Sequence, residues 1–371
     1  LAGDAGANHL DGGAGDDLLQ GRAGADRLYG GAGSDTLEGG VGADTLTGGD
    51  GFDFASYANS TSGLRLDLTS QNLNTAEALG DSLTSIEGII GSGFADDLRG
   101  TGLSDYLDGG AGADLLSGRG GSDTLMGGAG DDTLDGGYGA DLLDGGDGYD
   151  WVSYGSAIAG QVLDLATPSR NTYSATGDRF VGIEAFQGSA YRDAMWGDAQ
   201  GNHFDASAGN DTMGGRDGAD TLLGGLGDDN LFGGDGADWL QGGAGRDWLS
   251  GESGDDHLEG GDGNDTISGG LGANHLTGGL GADRFEKASA AGQDWITDYI
   301  AKQGDFLAFT ATGATRSQFS LSFAAVEGEG MATAEAFVTH IPSGQVLWVI
   351  TDGAAMTELY LRLGTPSYDL I

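Results

Sequence analysis

Aspartate returns every nine positions along most of this chain, always in the same company. The unit reads Gly-Gly-x-Gly-x-Asp-x-U-x, with U apolar, as in GGAGDDTLDGGYGADLLDGGDGYD from Gly127 to Asp150. A carboxylate set at a fixed interval among glycines offers a row of hard oxygen donors, from side chains and backbone carbonyls together. Such donors suit calcium, which takes about six to eight oxygens in flexible geometry. Magnesium fits less well, because it demands a tight octahedron and keeps its waters. Zinc wants His or Cys, and the chain has no cysteine while its turns carry no histidine.

The unit lies on the chain in three unbroken blocks of six, seven and eleven copies, at 3–56, 91–153 and 188–286. Of the 24 copies, 21 carry Asp at position six and three carry Asn, namely Asn8, Asn202 and Asn274. Every copy has an apolar residue at position eight. Position four is glycine in 20 and is otherwise Phe94, Leu103, Tyr191 or Gln200, in the first two copies of the second and third blocks. These read as transition turns, where metal binding is expected least. The candidate ligands are Asp17, Asp26, Asp35, Asp44 and Asp53 in the first block and Asp105, Asp114, Asp123, Asp132, Asp141 and Asp150 in the second. In the third they are Asp211, Asp220, Asp229, Asp238, Asp247, Asp256, Asp265 and Asp283, and Asn8 and Asn274 complete the set.

The elements that must position these acids follow from the period. The segment x-U-x reads as a very short strand with one inward residue and two outward ones. The other six residues must turn the chain, and their glycines permit positive φ and close backbone approach. Two units make one 18-residue coil, so acids 18 residues apart meet in one gap between stacked coils. The core is thin. A buried leucine contributes about 1.5–3 kcal/mol, whereas ordering nine residues costs about 1–2 kcal/mol each. Backbone hydrogen bonds and bound ions must meet the difference.

Two spacers of 34 residues, 57–90 and 154–187, separate the blocks and align without gaps at an offset of 97. GDSLTSIEGIIGS in the first matches GDRFVGIEAFQGS in the second. After 286 glycine thins and alternating segments appear, SQFSLSFAAVE, EAFVTHI, QVLWVIT and ELYLRL, which read as four or five strands covering an open solenoid end. The expected fold is all-β, a parallel β-roll in three blocks with irregular rungs between them and a C-terminal β-cap. The expected boundaries are 1–56, 57–90, 91–153, 154–187, 188–286 and 287–371.

Composition agrees with an ion-filled solenoid. Glycine numbers 77 and proline three, and 58 acidic residues against 15 basic ones leave a formal charge of -43. Such a chain repels itself and disfavours nucleic acid or anionic membrane as partners. Calcium at about 15 ions, roughly one per stacked pair, would bring in about +30. No apolar run is long enough to span a bilayer. No signal peptide is visible, and the first residues already lie inside the repeat, which reads as a fragment or a processed product.

The repeat resembles the RTX (repeats-in-toxin) region of proteins exported by type I secretion in Gram-negative bacteria. The stretch GADRFEKASAAGQDWITDYIAKQGDFLAF is similar to the cap after the roll in serralysin-type proteases, with Asp294 to Tyr299 and the Gly304-Asp305 pair at the matching places. The final SYDLI is similar to the secretion signals of that group. The resemblance implies calcium at position six, a secreted or cell-surface location, and a type I ABC exporter as partner. It also implies a chain that stays unfolded at cytosolic calcium and folds on extracellular calcium. The serralysin zinc site does not carry over, because the chain has no His-Glu-x-x-His.

No catalytic constellation stands out. Acidic pairs are too abundant to single one out, and no Gly-x-Ser-x-Gly elbow has a plausible histidine partner. The chain therefore reads as non-catalytic, with room for an upstream catalytic domain, and His340 reads as structural. His9, His203, His257 and His275 occupy position seven, with His257 and His275 expected to stack about 4.8 Å apart. A solvated β-surface is the preferred reading there, against a glycan-binding strip or a zinc or copper site. Trp151, Trp239, Trp248, Trp196 and Phe232 also point outward. Besides an export and stability module, a glycan-binding module like those of alginate epimerases and a self-assembling S-layer or adhesin subunit remain open.

Overall fold

The computed structural model describes residues 1–288, 292–300 and 303–310 and five later strands, Phe319–Val326, Thr333–His340, Gln345–Ile350, Tyr360–Leu363 and Ser367–Asp369. The chain divides into two compact units. One comprises Leu1–Ala157 with Pro168–Gln187, the other Ile158–Thr167 with Gly188–Ile371. Both are parallel β-solenoids, and among the described residues helix is confined to four single 3-10 turns in the spacers.

In the first unit the register advances by one coil of two repeats. Leu19 pairs with Leu37, and Leu107 with Leu125 and Leu125 with Leu143, each partner 18 residues on. Each of these leucines is fully buried. The spacer joins the same stacks. Leu66 takes the place of a position-eight residue below Leu98, Leu83 sits on Leu46, and Ile89 bridges Ala55 and Leu107. The extra chain is absorbed in the 3-10 turns Gln71–Leu73 and Ala76–Ala78.

The strands differ from the three-residue segments expected. Many run six residues, as in Thr124–Ala129, continuing through the glycine pair to position three. The reason is that the glycine peptides keep pairing from coil to coil, with Gly110 on Gly128 and Gly128 on Gly146. Position four is different. Gly130 has φ 133°, and a Cβ there would run into the carbonyl oxygen of Gly112 in the coil before.

The second unit repeats the plan with Leu222, Leu240 and Leu258 in one column and Met213, Leu231 and Leu249 in the other. At its C-terminal end the stack changes direction. Gln345–Ile350 pairs parallel to Gln293–Ile296, and Thr333–His340 and Phe319–Val326 then add antiparallel. Trp348 is fully buried, with its ring edge-on to Phe309. These strands coincide with the alternating segments of the expected cap. Leu370 and Ile371 of the secretion-signal reading, and the side chain of His340, lie outside what is described.

A glycine contrast tests this account of the turns. Gly130→Ala is expected to destabilise the folded roll by more than about 2 kcal/mol, through a disfavoured φ and a backbone clash. Gly93→Ala, where a Cβ meets nothing within 4 Å, is expected to stay within about 0.5 kcal/mol. Denaturant unfolding of both variants gives the comparison.

Candidate metal centres

In the interior of the rows a position-six aspartate divides its two oxygens between two tasks. Oδ1 accepts the backbone N–H of the acid one coil earlier. Asp17 N–H donates to Asp35 at 2.8 Å, Asp35 to Asp53 at 2.8 Å, and Asp114 to Asp132 at 2.7 Å. In the second unit Asp211, Asp229, Asp247, Asp265 and Asp283 form one such chain. Asp220, Asp238 and Asp256 form the other.

The second oxygen is buried and meets no donor at Asp17, Asp26, Asp35, Asp44, Asp53, Asp114, Asp123, Asp132, Asp141 and Asp150. The same holds at Asp211, Asp220, Asp229, Asp238, Asp247, Asp256, Asp265 and Asp283. At most of these acids a backbone carbonyl oxygen lies close by instead. A Cβ built on Gly21 would lie 2.5 Å from Asp26 Oδ2 and 2.6 Å from the carbonyl oxygen of Gly39. On Gly242 it would lie 2.5 Å from Asp247 Oδ2 and 2.6 Å from Gly260 O. Position-one glycine thus keeps open a cradle into which oxygens of successive coils converge. A buried anionic oxygen without a donor is costly. A hard cation satisfies it, and an all-oxygen donor set fits calcium.

Electrostatics point the same way. At Asp44, Asp53 and the orphan acids of the second and third blocks, burial is the largest influence and pushes the carboxyl up from the ordinary 3.8, to about 7 at Asp123, Asp132, Asp211, Asp256 and Asp265. Asp114, Asp220, Asp247 and Asp283 rise to about 6 for the same reason. Like charge one coil away adds to the rise, as Asp141 and Asp105 do at Asp123. Asp67, in the first spacer, goes the opposite way. Burial pushes it up, but hydrogen bonds from Arg119, Thr69 and Ser70 prevail and hold it well below the usual carboxylate range.

Three candidate ligands are placed differently. Asp105 Oδ2 accepts the N–H of Thr101 at 2.6 Å and its hydroxyl at 2.9 Å. Asn8 Oδ1 accepts Asp4 N–H at 2.8 Å. Asn274 accepts Asp256 N–H and donates to Asp294, which also pairs with the buried Lys287 at 2.8 Å. Asp96, Asp193 and Asn202 likewise accept N–H groups, from Ser92, Ser189 and Asp198. Except at Asn274, whose Gly270 has φ 85°, the cause is the backbone at position two. Every repeat with an orphan oxygen has a positive φ there, including the non-glycine residues Arg22, Arg119, Ser207, Arg216 and Glu252. Asp4, Ser92, Thr101, Ser189 and Asp198 have no positive φ, and their N–H turns onto the acid of the same repeat.

Acids outside the nine-residue period close the rows. Asp44 N–H donates to Asp81 and Asp141 N–H to Asp178, whose other oxygens accept the buried hydroxyls of Tyr57 and Tyr154. Asp53 and Asp150 donate to Glu87 and Glu184. Asp305 accepts from both Asp283 and Ile300. The aligned GDSLTSIE and GDRFVGIE segments were the signal for the first four.

Among the described residues no three His, Cys, Asp or Glu side chains converge as a metal cluster. The outward histidines join a ring ladder instead. Trp239 and His257 lie 4.7 Å apart, His257 and His275 6.4 Å, and His275 and Trp295 5.4 Å. The strands carrying His257 and His275 pair in register, yet their rings lie 6.4 Å apart, at 28° to each other. Face-to-face rings present edges outward, which does not make a flat sugar platform.

The profile of the RTX calcium-binding nonapeptide repeat matches residues 2–37, 20–55, 90–125, 117–152, 181–213, 214–249 and 250–285, together more than half of the chain. No curated protein matches it.

The raised carboxyls set a pH dependence for the metal-free fold. A folded value above the unfolded one gives stability that is complete below about pH 4 and lost as pH climbs through about 6 to 7. In excess chelator, β-structure seen by far-UV circular dichroism is therefore expected to grow as pH falls from 7.5 to 4. A flat or opposite trend contradicts the assignment of these acids to the gaps.

Proposed function

The chain belongs to the RTX calcium-binding nonapeptide-repeat family, and on that premise we propose that it is the calcium-folded export and stability region of a secreted protein. The observation that carries this reading is the row of orphan carboxylate oxygens, most of them close to a backbone carbonyl of the next coil. Calcium supplies positive charge and an oxygen-seeking coordination shell. The chain's own residues do the rest. Position-one glycines hold the cradle open, Oδ1 ties each coil to the one before, and Oδ2 waits for the ion.

A formal charge of -43 and a one-residue core keep the ion-free chain open, as passage through a type I exporter requires. At extracellular calcium, sites with dissociation constants of about 10⁻⁴–10⁻³ M fill. Binding to the folded state alone then pulls folding along by mass action. The ion number suggested by the period, about 15, is of the same order as the eighteen orphan oxygens. A glycan-binding role is less favoured, because the aromatic ladder shows ring edges. Catalysis has no constellation to support it in the gaps, whose second oxygens serve no proton donor or acceptor.

The test is a calcium titration of the full chain at pH 7.5. In excess chelator the spectrum should be that of a largely disordered chain, and millimolar calcium should produce a cooperative gain of β-structure. A β-rich spectrum that chelator leaves unchanged would sink the proposal.

A further inference from the structure

Position two of the regular repeat is a place for glycine, yet Arg119 and Arg216 hold it with φ 75° and 81°. That conformation is disfavoured for any residue with a Cβ. Both side chains find an unusual use. In the first unit Arg119 reaches back to the spacer and grips Asp67 with two nitrogens, Nη1 to Oδ1 at 3.0 Å and Nη2 to Oδ2 at 2.8 Å. The same Nη1 donates to the carbonyl of Gly100 at 2.6 Å and to the hydroxyl of Thr69. In the second unit Arg216 pairs with Asp164 at 2.9 Å and donates to the carbonyl of Gly197. Asp67 and Asp164 are 2% and 0% exposed.

The carbonyls identify the place. Gly100 and Gly197 are position-one glycines, and in regular coils that carbonyl faces an orphan carboxylate oxygen across the gap, as Gly39 faces Asp26. Arg65–Asp67 is the strand below Asp97–Arg99, and Val162–Asp164 is the strand below Ala194–Trp196. Each guanidinium therefore sits ahead of its row of metal cradles, separated from the first cradle by the gap of Asp105 or Asn202, whose oxygen accepts the N–H of Thr101 or Asp198. It lies between a buried carboxylate and the same kind of carbonyl, and it brings the positive charge and the fixed donors that the place requires.

We propose that Arg119 and Arg216 are resident cations that fill the junction gap of each unit in place of calcium. These two rungs then assemble at calcium concentrations too low to load the rows and give the rows an edge on which to order. The inference rests on the calcium reading above. It adds that one gap in each unit is a cation site already occupied by a side chain.

Arg22 provides the control. It has the same position in its repeat and φ 79°, but no ion pair involving it is found among the described residues. Calcium titrations of the full chain carrying R119G, R216G or R22G are followed by far-UV circular dichroism. R119G and R216G should raise the calcium midpoint about twofold, a modest factor because the loss is shared among ions that bind together. R22G should leave it unchanged or lower it, since the substitution relieves the φ alone. R119K should fall between wild type and R119G, because lysine keeps the charge but not the two-pronged grip. Midpoints for R119G and R216G that match wild type overturn the proposal. If R119G does not fold, R119K decides. Folding with a raised midpoint supports a cation's role, and failure equal to R119G overturns it. A wild type that ignores calcium would refute the calcium reading itself, which is a different result.

Discussion

The structure depends on one contact, a buried carboxylate oxygen set against a backbone carbonyl of the next coil. Both groups are negative or partly so, and neither has a hydrogen to give. Left to themselves they repel, and burial raises the carboxyl toward neutrality, as at Asp132. Yet this arrangement recurs along the regular rows at most of their acids, held by the Oδ1 bond to the preceding coil and by a glycine whose Cβ would fill the space. A fold repeated this way has the donor set that the calcium-binding repeats of its family supply. With about one buried apolar side chain per nine residues in the rolls, burial is too small a term to oppose the repulsion.

Where the rows begin and end, the protein supplies the missing donor itself. Backbone N–H groups of Ser92, Thr101 and Ser189 satisfy the first acids, Tyr57 and Tyr154 satisfy Asp81 and Asp178, and Lys287 satisfies Asp294. Arginine does the same at the spacer junctions. On the proposed calcium reading, metal dependence falls on the gaps with orphan oxygens, while these terminal carboxylates stay paired. The switch between the two states of an acid is a single backbone torsion at position two. A left-handed residue leaves the oxygen for a cation, and an ordinary one turns its own N–H onto it.

Much of this was legible in the residues. The buried column of Leu107, Leu125 and Leu143, the 18-residue register and the row of acids follow from a period of nine. The alternating segments after 306 marked the terminal strands. Other features were hidden for physical reasons. Arg22 and Ser207 take the left-handed torsion that Thr101 does not, and no residue type announces that choice. The strands run through the glycine pair because coil-to-coil pairing outweighs glycine's freedom, which a single repeat does not display. Asp81 and Glu87 lie off the period and were visible only through the alignment of the two spacers. The tilt of His257 against His275 depends on ring rotamers that spacing leaves free.

The most direct test of the central claim is to locate the ions by anomalous scattering from calcium-loaded crystals. The account predicts peaks beside the orphan oxygens of interior acids such as Asp35, Asp132 and Asp247, and none beside Asp105 Oδ2 or between Arg119 and Asp67. Interior gaps without peaks, or equal peaks at the acids already capped by N–H groups and arginine, would contradict it.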